Sequence, residues 1–248
     1  GLIRTKDFNY NVLAGYLNKI AFEINESGYN EIHLSFLGDM IESFTGLNHI
    51  GVWKELESHG MKAVIGAFEL IDKHLLQKID NLASVNIVSG NHDPTTSNNG
   101  LDYEGGASYM LNYLLNMKYP DLLVRYSSSV LSFQIGNINY ITMHGHMGIG
   151  KGDMGKIVHE YGEKEFYNVI IDGHRHTREV KKAYKATRTI YKDIITVEYD
   201  ALDYRKVTAP PMFTGNFYSE ALGFSSTAGY IEFWEQEPKK LRMLDVTL

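Results

Sequence analysis

The chain has 248 residues, a net charge of −6 and a pI near 5.9, and 44% of its residues are hydrophobic. This composition is ordinary for a globular domain, and the negative charge disfavours a protein that coats nucleic acid by bulk charge. Because there is no cysteine, disulfides and thiolate metal sites are excluded, and any metal must be held by nitrogen and oxygen ligands.

The sequence shows no sign of membrane contact or secretion. No apolar run approaches the roughly 18 residues of a membrane span, and the N-terminus lacks the layout of a signal peptide. We therefore expect a cytoplasmic protein. The charge is uneven, however, since residues 175–192 carry seven Lys and Arg side chains against one acidic residue, Glu179.

Hydrophobic periodicity predicts alternating helices and strands. Residues 7–27 have apolar side chains at helical spacing and stop at Gly28, which is typical of an amphipathic helix. The remaining pattern predicts strands at 31–37, 85–89, 122–126, 130–135, 138–143 and 167–172, and helices within 48–82, 108–117 and 156–166. After residue 176 the pattern indicates β structure, interrupted by an irregular loop at 207–223.

Four of these strands end in residues that bind metals. The four ends read Gly38-Asp39, Gly90-Asn91-His92-Asp93, His144-Gly145-His146 and Gly173-His174-Arg175-His176. Because residues at i and i+2 of an extended chain point the same way, the last pair of histidines is predicted to face one space. Sites in α/β proteins collect at the carboxyl ends of strands, so the four ends indicate one shared site.

Each of these features also has an ordinary explanation. Asp39 alone is typical of a turn, and the run from Asn91 to Pro94 is rich in turn formers. Glu42 is expected to cap a helix or to support a ligand rather than bind a metal. The basic segment at 175–192 would suit a solvated hairpin as well as a phosphate-binding surface.

Together, the four blocks resemble the calcineurin-like metallophosphoesterase superfamily, whose ordered motifs are D-x-H, G-D, G-N-H-(D/E), a strand-end His and G-H-x-H. The resemblance covers residues 31–180. It implies an α/β fold in which two mixed β-sheets and flanking helices form a four-layer αββα sandwich. It also implies a single domain over 1–248, with a metal-site core at 1–180 and a β-rich completion at 181–248.

The resemblance implies a role for each candidate residue. Two divalent ions are expected, with Mn favoured over Fe or Zn, and Asp39 would bridge them. Asn91, His144 and His174 would hold the second ion, and His176 the first. His92, oriented by Asp93, would act as general acid or charge stabiliser. The resemblance fixes no role for His146, which would contact either the substrate or a ligand, and the charge of the basic segment makes Arg175 and Arg178 the expected substrate contacts.

One motif of the superfamily is absent from the chain. No D-x-H sequence ends a strand near the N-terminus, where Asp7 is followed by Phe8-Asn9. We expect the first central strand, with its D-x-H, to belong before Gly1. The first metal site would then be incomplete in this chain.

The expected function is hydrolysis of phosphodiester bonds by a water that two metal ions activate. Within the superfamily the chain is most similar to DNA-repair exonucleases and phage nucleases, because of its G-N-H-D block, the 30-residue step from His144 to His174 and its β-rich tail. DNA is thus the expected partner, and Tyr184 and Tyr191 would stack on bases. A phosphodiesterase or phosphatase for small molecules and a non-catalytic scaffold remain alternatives. A homodimer is compatible with the sequence.

Overall fold

The computed structural model describes residues 2–3, 8–45, 50–95, 106–146, 154–175, 179–181, 186–188, 194–198, 204–213, 227–237 and 239–248. The chain forms two compact units. Unit 1 comprises Gly1–Ser129 and Thr214–Ser225, and unit 2 comprises Val130–Phe213 and Ser226–Leu248. The single domain expected from the sequence stays a prediction.

Unit 1 is built around a parallel sheet of three strands. Its elements are β1 (Leu2–Ile3), α1 (Tyr10–Glu26), β2 (Ile32–Phe36), α2 (Ile50–Trp53), β3 (Leu56–Ser58), α3 (Gly60–His74), a 3₁₀ turn (Leu76–Lys78), β4 (Leu82–Val88), α4 (Ala107–Lys118) and β5 (Leu123–Ser127). The sheet has the order β2-β4-β5, while β1 pairs with β3 in an antiparallel ribbon. The last five residues of the central strand, β4, are buried.

Helix α1 follows the predicted pattern closely. Asn9 caps its first turn, because the Asn9 side chain accepts the N–H groups of Asn11 at 2.9 Å and Val12 at 3.2 Å. Gly28 ends it with a φ of +67°, a backbone conformation that glycine adopts readily. The region predicted as mostly helical at 48–82 also contains β3, which is too short to show a periodic pattern.

Unit 2 contains two sheets. Its elements are β6 (Val130–Ile135), β7 (Ile138–Met143), α5 (Met154–Tyr161), β8 (Tyr167–Asp172), β9 (Glu179–Lys181), β10 (Ala186–Arg188), β11 (Ile194–Glu198), β12 (Tyr204–Thr208), β13 (Gly229–Glu237) and β14 (Lys240–Thr247). The mixed sheet has the order β6-β7-β8-β12-β9, and the antiparallel sheet has the order β10-β11-β14-β13.

The parallel pair β7 and β8 forms the centre of the mixed sheet. All six residues of each strand are buried, as expected for parallel strands covered on both faces. Helix α5 packs on one face through Ile157, which contacts a cluster of Ile141, Met143 and Ile170. Parallel pairing puts the carboxyl ends of the two strands side by side, so the residues that follow them share one edge.

Strand β12 differs from the sequence prediction. Val207 and Thr208 belong to this strand, although the irregular loop was predicted to begin at residue 207. Arg205 and Lys206 are only 3% and 6% exposed. Lys and Arg side chains are rarely buried. Their presence in this strand therefore interrupts the hydrophobic pattern that would have predicted it.

The predicted α/β class, with helices and several sheets, is confirmed. Of the described sheets that have three or more strands, one is parallel, one is mixed and one is antiparallel, whereas two mixed sheets were expected. Within the described ranges, none of the helices has the length and apolar content needed to cross a bilayer.

A buried carboxylate links α3 to the end of α4 in unit 1. Asp72, which is 3% exposed, accepts hydrogen bonds from Lys118 Nζ, from the hydroxyl of Tyr119 and from Gln77 Nε2. Burial raises the pKa of Asp72, but these donors and the charge of Lys118 outweigh it and leave the pKa below its usual value. The ionised carboxylate therefore stabilises the folded state above the pKa of an unfolded Asp, near 3.8.

We expect Asp72→Asn to lower the free energy of unfolding by about 1–3 kcal/mol at pH 7, because it weakens hydrogen bonds to a charged group. The difference from wild type should shrink as the pH falls below about 4, because Asp72 of the unfolded chain then binds a proton while the folded carboxylate is still ionised. Urea unfolding at pH 7 and pH 3 measures both effects. The exposed Asp121→Asn serves as control and should change stability by less than about 0.5 kcal/mol. An equal difference at the two pH values would contradict the assignment.

Candidate functional site

In unit 1, the turns after β2 and β4 touch through their backbones. A Cβ added at Gly90 would lie 2.0 Å from Asp39 Oδ1, and one added at Gly38 would lie 2.5 Å from the backbone N of Gly90. Gly38 also has a φ of +87°, and the next residue, Asp39, has a φ of +52°. Only glycine allows this approach at both positions, which explains the glycine before each polar block.

The Asp93 side chain forms hydrogen bonds with both of these turns. Its buried carboxylate accepts hydrogen bonds from the backbone N–H groups of Gly90 at 2.7 Å, Asp39 at 3.1 Å and Met40 at 2.9 Å. The hydroxyl of Ser108, in the first turn of α4, donates to the same carboxylate at 2.6 Å. Asp93 therefore fixes the turn after β2, the turn after β4 and the start of a helix. Its predicted role of orienting His92 stays a prediction.

His92 lies between two acidic residues. Its backbone N–H donates to Asp39 Oδ1 at 2.9 Å, and its Nδ1 lies 2.5 Å from the carbonyl oxygen and 3.2 Å from Oε1 of Glu42. Burial lowers the pKa of His92, but the hydrogen bond to Glu42 and the charges of Asp39 and Glu42 outweigh burial and raise that pKa to about 10. The imidazole is therefore protonated at neutral pH in the metal-free protein.

The partnership of Glu42 with His92 was not predicted from the sequence. Glu42 follows Asp39 by three residues, and that spacing was interpreted only as a cap or a supporting group. Its contact with His92 spans 50 positions, so no local pattern could indicate it.

In unit 2, three histidines form one cluster. Nε2 of the buried His144 lies 3.1 Å from Nδ1 of His174, and the two rings are 4.9 Å apart between centroids. The ring centroid of His146 lies 5.2 Å from that of His144 and 6.0 Å from that of His174. The carbonyl oxygen of His144 accepts the N–H groups of Gly173 at 3.2 Å and His174 at 2.8 Å, which joins the turns after β7 and β8.

The spacing of His144 and His174 fits two ligands of a single divalent ion. Two donor atoms about 2.1–2.2 Å from an ion, at right angles to each other, lie about 3.0–3.1 Å apart. The nitrogens of this pair are 3.1 Å apart and share a hydrogen bond in the metal-free chain, which a bound ion would replace. Imidazole donors suit transition metals such as Mn, Fe and Zn. The donor set of unit 2 is thus suited to a metal ion.

A buried ion pair lies next to the histidine-bearing turn that follows β8. Asp172, the last residue of β8, is 1% exposed, and its Oδ2 lies 2.5 Å from Lys206 Nζ. Thr208 donates its hydroxyl to Oδ1 of Asp172 at 2.5 Å. The sequence pattern indicates no role for these residues. One available signal was a carboxylate at the end of an apolar strand, since a buried charge requires a partner.

The other candidate residues are placed as follows. Asn91 is half-buried in the turn after β4, in the same unit as Asp39 and His92, whereas Arg175 is exposed after His174 in unit 2. His176 and Arg178 lie outside the described residues. The metal, catalytic and substrate roles assigned from the sequence all stay predictions.

Comparisons with known proteins identify the family. A model described as the calcineurin-like phosphoesterase superfamily domain matches residues 47–191, more than half of the chain. The match includes the blocks at 90–93, 144–146 and 173–176, and Asp39 precedes it. No curated protein sequence matches the chain.

The chain is also similar to solved structures of Vps29 from Entamoeba histolytica. A single mutant of that protein shares 11% identity, with 91% of this chain and 89% of that chain covered and a TM-score of 0.39. A double mutant shares 12% identity, with 65% of this chain and 82% of that chain covered and a TM-score of 0.33.

We expect Gly90→Ala to destabilise unit 1 by about 1–3 kcal/mol, because the added methyl group overlaps Asp39 and the turns must separate. Thermal unfolding measures the loss. Gly15→Ala is the matched control, since Gly15 lies within α1 and an added Cβ there meets nothing within 4 Å. That control should raise stability by up to about 1 kcal/mol. Equal effects of the two substitutions would refute the close approach.

We expect Glu42→Gln to lower the pKa of His92 in the metal-free protein, because it removes one of the two charges that hold the imidazolium. The pKa should fall from about 10 towards the ordinary value of 6.5. NMR titration of the His92 ring measures this change. The ring signals of the exposed His159 serve as an internal reference for the spectra. An unchanged His92 pKa would show that Glu42 does not hold the proton.

Proposed function

Because the chain belongs to the calcineurin-like phosphoesterase superfamily, we propose that it is a metal-dependent hydrolase of phosphodiester bonds. Members of this superfamily usually bind divalent metals. The observation that carries the proposal is the 3.1 Å spacing of the imidazole nitrogens of His144 and His174, which suits coordination of one ion.

The proposed ligands combine imidazole, carboxylate and amide donors. Asp39 of unit 1 would supply a carboxylate, and His144 and His174 of unit 2 would supply imidazoles, which are donors of the kind that holds a divalent ion. Asn91 and His176 complete the proposed set for two ions, of which Mn is the favoured metal. A bound pair of ions would supply an activated water and polarise the phosphoryl oxygens.

His92 is the proposed general acid. Glu42 lies 3.2 Å from Nδ1 of His92 and favours the protonated form of its imidazole. Since Nδ1 faces Glu42, the proton that reaches the leaving oxygen would come from Nε2. Asp93 supports this role indirectly, because its hydrogen bonds to Gly90 and Asp39 fix the turns on either side of His92.

DNA is the proposed substrate. Arg175 is exposed and directly follows the ligand His174, where a guanidinium could contact a phosphate of the substrate. Arg178 continues the basic segment at 175–192, whose seven Lys and Arg side chains suit a polyanionic chain, and His146 is proposed to contact the scissile phosphate.

The test compares hydrolysis of a chromogenic phosphodiester, a chromogenic monoester and labelled DNA in the presence of Mn²⁺. We expect cleavage of the diester and of DNA in preference to the monoester, and loss of cleavage with chelator. His92→Gln should lower kcat roughly 100- to 10,000-fold while the bound metal is retained. His159→Gln, on the exposed face of α5, should leave kcat unchanged.

Each other outcome contradicts a defined part of the proposal. Preference for the monoester would indicate a phosphatase. Cleavage of the diester without salt-sensitive binding of DNA would indicate a small-molecule phosphodiesterase, because contacts with a polyanion weaken as salt rises. A chain that binds metal and cleaves none of the three substrates would be a non-catalytic scaffold.

A further inference from the structure

The buried pair of Asp172 and Lys206 is the feature of unit 2 that the proposed chemistry does not use. Lys206 approaches Oδ2 of Asp172 from β12, and Thr208 of the same strand donates to Oδ1. Both side chains of the ion pair are almost fully buried. One cation and one hydroxyl thus occupy the two oxygens of the carboxylate.

A contribution to the folding free energy is a weak explanation for a buried ion pair. Removing two charges from water costs about as much as their attraction returns, and well-packed apolar side chains of similar volume are often at least as stabilising. The geometry that the pair imposes on its neighbours therefore offers a better explanation.

Asp172 contacts both turns that carry histidines. It precedes the Gly173-His174 turn directly, and the peptide N–H groups of that turn bind the carbonyl oxygen of His144. Gly145, the residue after His144, packs against it so closely that a Cβ on Gly145 would lie 3.1 Å from Cβ and Oδ2 of Asp172. The Asp172 carbonyl oxygen also accepts the N–H of Ala209 at 2.7 Å, which anchors it to the end of β12.

We propose that Lys206, acting through Asp172, is a positioning residue for the metal ligands His144 and His174. The inference rests on the proposed metal-binding function. Lys206 and Thr208 hold the carboxylate against the turn after β7, and this contact sets the spacing of the two imidazoles. Lys206 and Thr208 also bind both carboxylate oxygens of Asp172. Without these partners, the carboxylate would be attracted to a divalent ion bound nearby.

The experiment measures binding of Co²⁺ to the metal-free chain by calorimetry and by visible absorption, which reports the geometry of the ligands. We expect Lys206→Met to weaken binding about 10- to 100-fold and to shift the absorption bands, as changes behind a metal ligand commonly do. Lys206→Arg keeps a cation and donors at the same place, and should restore most of the affinity.

Two matched controls separate positioning from general destabilisation. Lys118→Met removes the lysine of the Asp72 pair in unit 1, and should lower thermal stability while Co²⁺ affinity and bands stay unchanged. Thr208→Val and Thr142→Val each remove one buried hydroxyl from the mixed sheet. Thr208→Val should weaken Co²⁺ binding, whereas Thr142→Val, whose hydroxyl donates to the Leu131 carbonyl oxygen, should not.

The inference is overturned if folded Lys206→Met binds Co²⁺ with wild-type affinity and bands. If Lys206→Met does not fold, the comparison of Thr208→Val with Thr142→Val decides, and equal binding by these two variants overturns the inference. A wild-type chain that binds no Co²⁺ overturns it together with the proposed function. A wild-type chain that binds Co²⁺ but hydrolyses nothing removes only the proposed hydrolysis, and the binding comparisons still decide the role of Lys206.

Discussion

The candidate site in unit 1 depends on one buried carboxylate, that of Asp93. Backbone N–H groups that are removed from water need an acceptor, and Asp93 accepts three of them, from the turns after β2 and β4, together with the Ser108 hydroxyl. These aligned donors stabilise its negative charge. Two turns from different strands and the start of α4 are thereby held as one piece.

Unit 2 also contains a buried carboxylate next to its functional turns, but its bonding partners are side chains. Its histidine-bearing turns meet at Asp172, but there the buried carboxylate is balanced by the cation of Lys206 and the hydroxyl of Thr208. In each unit the side chains proposed to do chemistry stand on turns, and a buried carboxylate keeps those turns rigid. Loops can carry precise chemistry only when a scaffold fixes them in this way.

The sequence was informative where a signal is local. The α1 helix with its Gly28 stop and the apolar runs of β7 and β8 depend on neighbours in the chain, and they are found in the structure. The described residues of the four polar blocks follow β2, β4, β7 and β8. Glu42 and Lys206 were missed because their partners lie 50 and 34 residues away. Strand β12 was missed because two of its buried residues, Arg205 and Lys206, are charged, and a hydrophobic pattern does not indicate their burial.

The backbone of Asp39 has a φ of +52°, a left-handed conformation that costs most L-residues roughly 1–2 kcal/mol. Asp tolerates this region better than most residues, but glycine would adopt it with no steric cost. A glycine here would relax the chain and delete the carboxylate that binds the His92 N–H. The strained backbone at Asp39 is therefore retained together with a hydrogen bond to the turn after β4, and a glycine there would exchange backbone strain for a turn that is less firmly held.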